Sequence, residues 1–122
     1  MKIKKLNDKI IVIYLSSKYS KTSDLKKFIK FYKRFKAGAK HKLVICFKQL
    51  SKKELTKRLS LIKKIDYFID PIDINDHEWG TLKRICQIYN KNYIFFMNDY
   101  SYPIANNWLK YLNKFKKSKM LI

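Results

Sequence analysis

Acidic residues are scarce and unevenly placed along this 122-residue chain. Nine Asp and Glu stand against 29 Lys and Arg. Six of the nine fall within residues 65–99: Asp66, Asp70, Asp73, Asp76, Glu78 and Asp99. From Ile65 to Leu82 there is no Lys or Arg at all. Carboxylates gathered in a basic chain are groups that can meet a metal, a hydroxyl or a cation. Two stand directly at the ends of apolar runs. Asp70 closes DYFID at 66–70, and Asp99 follows Asn98 after YIFFM at 93–97. Asp76 reads equally well as a helix cap. His41 and His77 are isolated, and no metal or catalytic role is expected for His77.

The elements that must position these groups follow from periodicity. Residues 9–15, 43–47, 66–70 and 93–97 are short, continuous and rich in β-branched or aromatic residues, as strands buried on both faces are. Helical spacing of Leu25, Phe28, Ile29, Tyr32 and Phe35 predicts a helix from Thr22 or Ser23 to about 36, ended by Gly38. Ser51 and Glu54 have the form of a capping box, which opens a second helix over 51–64 with Leu55, Leu59 and Ile62 inward. Asp76 precedes a third helix at 77–89 whose expected inner face is Trp79, Leu82, Ile85, Cys86 and Tyr89. Pro103 opens a fourth, with Ile104, Trp108, Leu112 and Phe115 inward. Both Trp79 and Trp108 are thus expected to pack.

The order βαβαβαβα implies an α/β fold, a Rossmann-like three-layer half-domain with four mainly parallel strands. In such sheets ligands bind beyond the carboxyl ends of the strands. Those ends are Ser16 and Ser17, Lys48 and Gln49, Asp70 to Asp73, and Asn98 and Asp99. The acidic window therefore falls on the edge where a site belongs. Tyr100 and Tyr102 follow the last strand, where exposed rings can stack on a base or a sugar.

The formal charge of +20 suggests a polyanion or an anionic membrane surface. Its make-up pulls the other way. Twenty-six of the 29 basic residues are Lys, and only Arg34, Arg58 and Arg84 carry the fork that suits phosphate and base edges. Lys, Ile, Asn, Tyr and Phe also share A/T-rich codons, so a biased genome yields such a chain without selection for a polyanion. Residues 1–64 hold 21 basic and 3 acidic groups, net +18, and residues 100–122 are net +5.

An apolar content of 47% excludes a disordered chain. The longest apolar run, Ile10 to Leu15, is too short for a membrane span or a signal-peptide core. A cytoplasmic location follows as the expectation. Cys46 and Cys86 make neither a zinc site nor a CxxC pair and are expected to be reduced and buried. With Gly38 and Gly80 the only glycines, no glycine-rich phosphate loop and no GxSxG elbow exists.

The stretch from Tyr67 to Leu112, YFIDPIDINDHEWGTLKRICQIYNKNYIFFMNDYSYPIANNWLKYL, resembles the nucleotide-sugar-binding half of GT-A-fold glycosyltransferases, the bacterial polysaccharide type above all. Asp70, Asp73, Gly80, the strand 93–97, Asn98, Asp99, Pro103, Trp108 and Leu109 occupy the places of the family's pattern. The resemblance implies nucleotide-sugar contacts for Ser16, Ser17, Asp70, Asp73, Asn98, Asp99 and Tyr100. It implies a divalent metal, Mn or Mg, at Asp99 and Asn98, where the family's acidic motif has a second carboxylate and this chain has Tyr100. It implies transfer of a sugar to a polysaccharide or lipid-linked acceptor, at the inner face of a membrane, once further chain or a partner supplies the acceptor half. Residues 1–122 form a single domain on this reading, shorter than a full GT-A domain. The alternative is a Lys-rich nucleic-acid-binding protein without enzymatic activity, using helices 23–36 and 51–64.

Overall fold

The structure is a computed structural model that describes residues 10–71 and 76–110. Its elements are β1 (Ile10–Ser17), α1 (Thr22–Arg34), β2 (His41–Lys48), α2 (Lys52–Leu59), β3 (Asp66–Ile69), α3 (His77–Ile88) and β4 (Tyr93–Met97). The strands form one parallel sheet in the order β3-β2-β1-β4. The α/β fold with four parallel strands is as the sequence implies.

Side chains of successive strand residues point to opposite faces, and both faces of β1 and β2 are covered. One core joins Ile10, Val12, Tyr14, Leu43, Ile45 and Phe47 to Leu25 and Phe28 of α1 and to Ile62 after α2. The other joins Ile11, Ile13, Leu15, Val44 and Cys46 to Ile85 of α3. Connections of one hand explain this split. The chain adds β2 and β3 on one side of β1 with α1 and α2 on one face, then returns through α3 on the other face to place β4 on the far side of β1.

Several local expectations are corrected. Lys21, not Thr22 or Ser23, is the α1 N-cap residue, and Asp24 accepts its N–H at 2.8 Å. Gly38 does not end α1, which stops at Arg34. Its φ of +79° instead turns the chain under Asn107, whose Cα would lie 2.9 Å from an added Cβ. Strand β3 is a largely exposed edge, with Tyr67 and Ile69 open to solvent. Helix α3 turns Thr81 and Ile85 inward, so Trp79 is 72% exposed and Cys86 is exposed. No helix starts at Pro103. Asn107 has φ +65°, which no helix accommodates, and the N–H groups of Asn107 and Leu109 donate to Lys36 and Ala37 carbonyls at 2.7 and 2.8 Å. Ile104 is consequently 75% exposed, while Trp108 and Leu109 pack against the first core. Leu112 and Phe115 lie outside the described residues. Among the described residues no helix is long and apolar enough to cross a membrane.

Candidate functional site

The carboxyl ends of β1 and β4 are joined by Asp99. Its Oδ2 accepts the backbone N–H of Ser17 at 3.0 Å and the Ser17 hydroxyl at 2.5 Å. The Tyr14 hydroxyl donates to the Asp99 carbonyl at 2.5 Å. Tyr14 is fully buried and stacks on Phe28 with ring centroids 4.0 Å apart. Burial first, and the nearby Asp99 carboxylate second, hold its hydroxyl far above the usual phenol range, so it stays a donor.

Ser16 points to the opposite face and takes a hydrogen bond from Arg58 Nη1 at 2.8 Å. Arg58 is 2% exposed. It also donates to the carbonyls of Ser17 and Ser20, at 3.0 and 2.7 Å, and pairs with Glu54 at 3.0 Å. One buried guanidinium thereby fixes the loop between β1 and α1 from beneath. Serine hydroxyls and strand-end carbonyls suit it because Arg spreads five donors over a rigid fork.

Asp70 sits at the end of β3 with no exposed side-chain surface. Arg84 grips it through Nε and Nη2 at 2.8 and 2.6 Å, and Thr81 donates to it at 2.7 Å. Lys48, at the end of β2, donates to Thr81 at 2.7 Å and to Asp76. Arg84 Nη1 completes the ring with Asp76 at 2.8 Å. Two carboxylates and two cations thus neutralise one another where β2, β3 and the first turns of α3 meet. Hydrogen bonds from Arg84 and then Lys48 hold the Asp76 carboxyl well below its usual range. Asp76 occupies the N-cap position of α3 without capping it, since its side chain makes no bond to the helix backbone. Gly80 makes this conformation possible, because an added Cβ would meet Asp76 Oδ2 at 1.8 Å.

The sequence-derived site residues therefore divide. Ser17 and Asp99 meet directly. Ser16 and Asp70 are buried beneath them, each held by an arginine. Asn98 is exposed, and its side-chain oxygen closes a turn by accepting the Tyr100 N–H at 3.1 Å and the Ser101 hydroxyl at 2.8 Å. Tyr100 is 63% exposed and donates to the Tyr19 carbonyl at 2.7 Å. Asp73 lies outside the described residues. The donor set is poor for Mn or Mg. Hard dications take several anionic or carbonyl oxygens, whereas the Asn98 oxygen and Asp99 Oδ2 already accept two bonds each. No group of three His, Cys, Asp or Glu converges among the described residues.

Between these ends lies a cleft of about 380 Å³, lined by Leu15, Ser17, Tyr19, Lys48, Glu78, Trp79 and Asp99. Trp79 and Tyr19 supply its exposed rings. Arg58, Arg84, Thr81 and Tyr14 went unassigned in the sequence reading. Arg58 did leave a signal, lying three and four places from Leu55 and Ile62 on the inward stripe of α2.

No protein family, no curated protein and no solved structure shows significant similarity to this chain.

Proposed function

We propose that the chain binds a nucleoside diphosphate sugar at the carboxyl edge of its sheet, as the donor-binding part of a glycosyltransferase. The observation that carries this reading is the cleft where Ser17, Asp99, Lys48 and the open faces of Trp79 and Tyr19 meet. Such a cleft suits a flat base or sugar ring against the aromatics. Ser17 and Asp99, bonded to each other, present oxygen acceptors to ligand hydroxyls, and Lys48, already paired with Asp70 and Asp76, fixes the wall. Ser16 and Asp70 act from beneath by fixing the loop and the α3 start. Asn98 and Tyr100 shape the rim. The acceptor, a polysaccharide or lipid-linked glycan, is met by further chain or a partner, at an anionic membrane surface. Calorimetric titration with UDP- and GDP-sugars, with and without Mn²⁺, tests the reading. Saturable binding that is lost in Asp99→Ala supports it. No binding of any of these ligands removes it.

A second reading, single-stranded nucleic acid, draws on two lysine–tyrosine pairs, one beside the cleft and one in the neighbouring depression past Asp99. Lys18 Nζ stands 5.2 Å from the Tyr19 ring centre and Lys27 Nζ 4.3 Å from that of Tyr102. Rings flanked by cations are the usual platform for unpaired bases. Retardation of oligonucleotides that weakens steeply with salt supports this reading, and no retardation at low salt excludes it.

A further inference from the structure

The loop between β1 and α1 has a cavity on each side. Ser17 and Tyr19 line the aromatic cleft, whereas Lys18, Ser20 and Lys21 line a second cavity of about 620 Å³ between the starts of α1 and α2. Lys57 lines it as well, Ser23 and Ser51 contribute hydroxyls, and the depression is shallow and open to solvent. The two helix starts are already capped from within, by Asp24 on the Lys21 N–H and by Ser51 on the Glu54 N–H at 3.1 Å. The character of the cavity therefore comes from its side chains.

Its one carboxylate, Glu54, is engaged. Arg58 pairs with it at 3.0 Å and the Thr22 hydroxyl donates to it. The remaining donors of Arg58 go to Ser16, Ser17 and Ser20. Lys18, Lys21 and Lys57 stand around the hollow; Lys18 Nζ lies 5.2 Å from the Tyr19 ring centre, and none of the three forms an ion pair among the described residues. Like charges on a concave wall add their potentials inside it, which a convex lysine surface does not do. The outer face of α1, with Lys26, Lys30 and Lys33 exposed, supplies that convex comparison.

We propose that this cavity is a binding site for a phosphate group, with Lys18, Lys21 and Lys57 meeting the phosphate oxygens and the serine hydroxyls as neutral donors. The proposal goes beyond the donor cleft and does not depend on it. A free phosphate and a lipid phosphomonoester headgroup present the same chemistry to these residues.

The test is calorimetric titration of the full chain with inorganic phosphate and pyrophosphate at physiological salt, alongside co-sedimentation with phosphatidylcholine vesicles with and without phosphatidic acid. Saturable one-site binding is expected, weakened about tenfold or more by the combined Lys18→Gln, Lys21→Gln and Lys57→Gln changes. Lys26→Gln, Lys30→Gln and Lys33→Gln together remove the same charge and leave it unchanged. Trp79→Ala, which strips the donor cleft of its main ring, leaves it unchanged too. Tighter binding to phosphatidic acid vesicles than to soluble phosphate, lost in the same cavity triple, identifies the headgroup as the source. Equal affinity identifies free phosphate. All six lysines are solvent-exposed, so both triples fold, as their circular dichroism and melting will show. Absence of saturable binding, or equal weakening by the two triples, overturns the proposal.

Discussion

Asp99 Oδ2 lies 2.5 Å from the Ser17 hydroxyl and 3.0 Å from the Ser17 backbone nitrogen, although 82 residues separate the two in sequence. A carboxylate 8% exposed is thus tied to the end of the neighbouring strand. Hydrogen bonds to a charged acceptor are stronger than neutral ones, and this pair sets the spacing of β1 and β4 at the mouth of the cleft.

Replacing Asp99 by Ala leaves the buried Ser17 N–H and hydroxyl without their acceptor. A loss of about 2 kcal/mol in urea unfolding is expected, within the range for an abandoned buried donor. Asp99→Asn retains an acceptor and is expected to lose about half as much. Equal stability of wild type and Asp99→Ala would show that the pair does not hold the strand ends together.

Asp70→Ala strips Lys48 and Arg84 of a carboxylate that is fully buried. Asp76 remains to pair with both, so the expected loss lies at the lower end for a broken buried ion pair, on the order of 3 kcal/mol. Chemical denaturation measures it. A neutral effect would mean that the four groups are not organised as described.

Gly80→Ala is destabilising, although alanine is ordinarily the better helix former by about 1 kcal/mol. The new methyl group displaces the Asp76 carboxylate from Lys48 and Arg84. Asp76→Ala in the same chain removes the obstacle and makes the glycine substitution neutral or favourable. A melting series of the two single variants and the double variant measures this sign reversal.

Acid weakens the fold through Asp76 and Glu54, whose folded pKa values are both depressed. Arg84 is the first cause at Asp76, and the Thr22 hydroxyl, followed by Arg58, is the cause at Glu54. Groups lowered by folding contribute stability above their unfolded values, 3.8 and 4.5, and lose it as pH falls toward the folded values. Melting temperature is therefore expected to hold between neutral pH and about pH 5, then drop below about pH 4. Asp76→Asn flattens the acid limb.

The two thiols differ sharply. Cys46 is buried in the sheet, and burial together with nearby Asp70 pushes its thiol up to about 12, whereas Cys86 is on the open side of α3. A thiol reagent is expected to modify one cysteine per folded chain, and Cys86→Ser to abolish that reaction.

The strands were legible because both faces of β1 and β2 are apolar, and runs such as IIVIYL and LVICF carry that directly. The location of the candidate site at the strand ends followed from parallel order alone. The face of α3 was legible only in part: Ile85 and Tyr89 pack inward as expected, but Thr81 and Arg84, which serve Asp70, are polar, and Trp79 and Cys86 lie on the open side. The expected start of the last helix at Pro103 failed for a related reason. Nothing in Pro103 to Trp108 announces that the Asn107 backbone is claimed by Lys36 across the fold. The arginine count did not reveal where the arginines act. Two of the three, Arg58 and Arg84, bond protein acceptors at the strand ends, where a rigid fork can serve several at once.

The central claim is that a nucleoside diphosphate sugar occupies the cleft between Ser17, Trp79 and Asp99. Amide and indole chemical-shift mapping during titration with UDP- and GDP-sugars tests it most directly. The account predicts saturable shifts at Ser17, Tyr19, the Trp79 indole and Asp99, with the outer face of α1 unmoved. Shifts confined to the lysine-rich helix surfaces, or no saturable shift at any of those four residues, would contradict it.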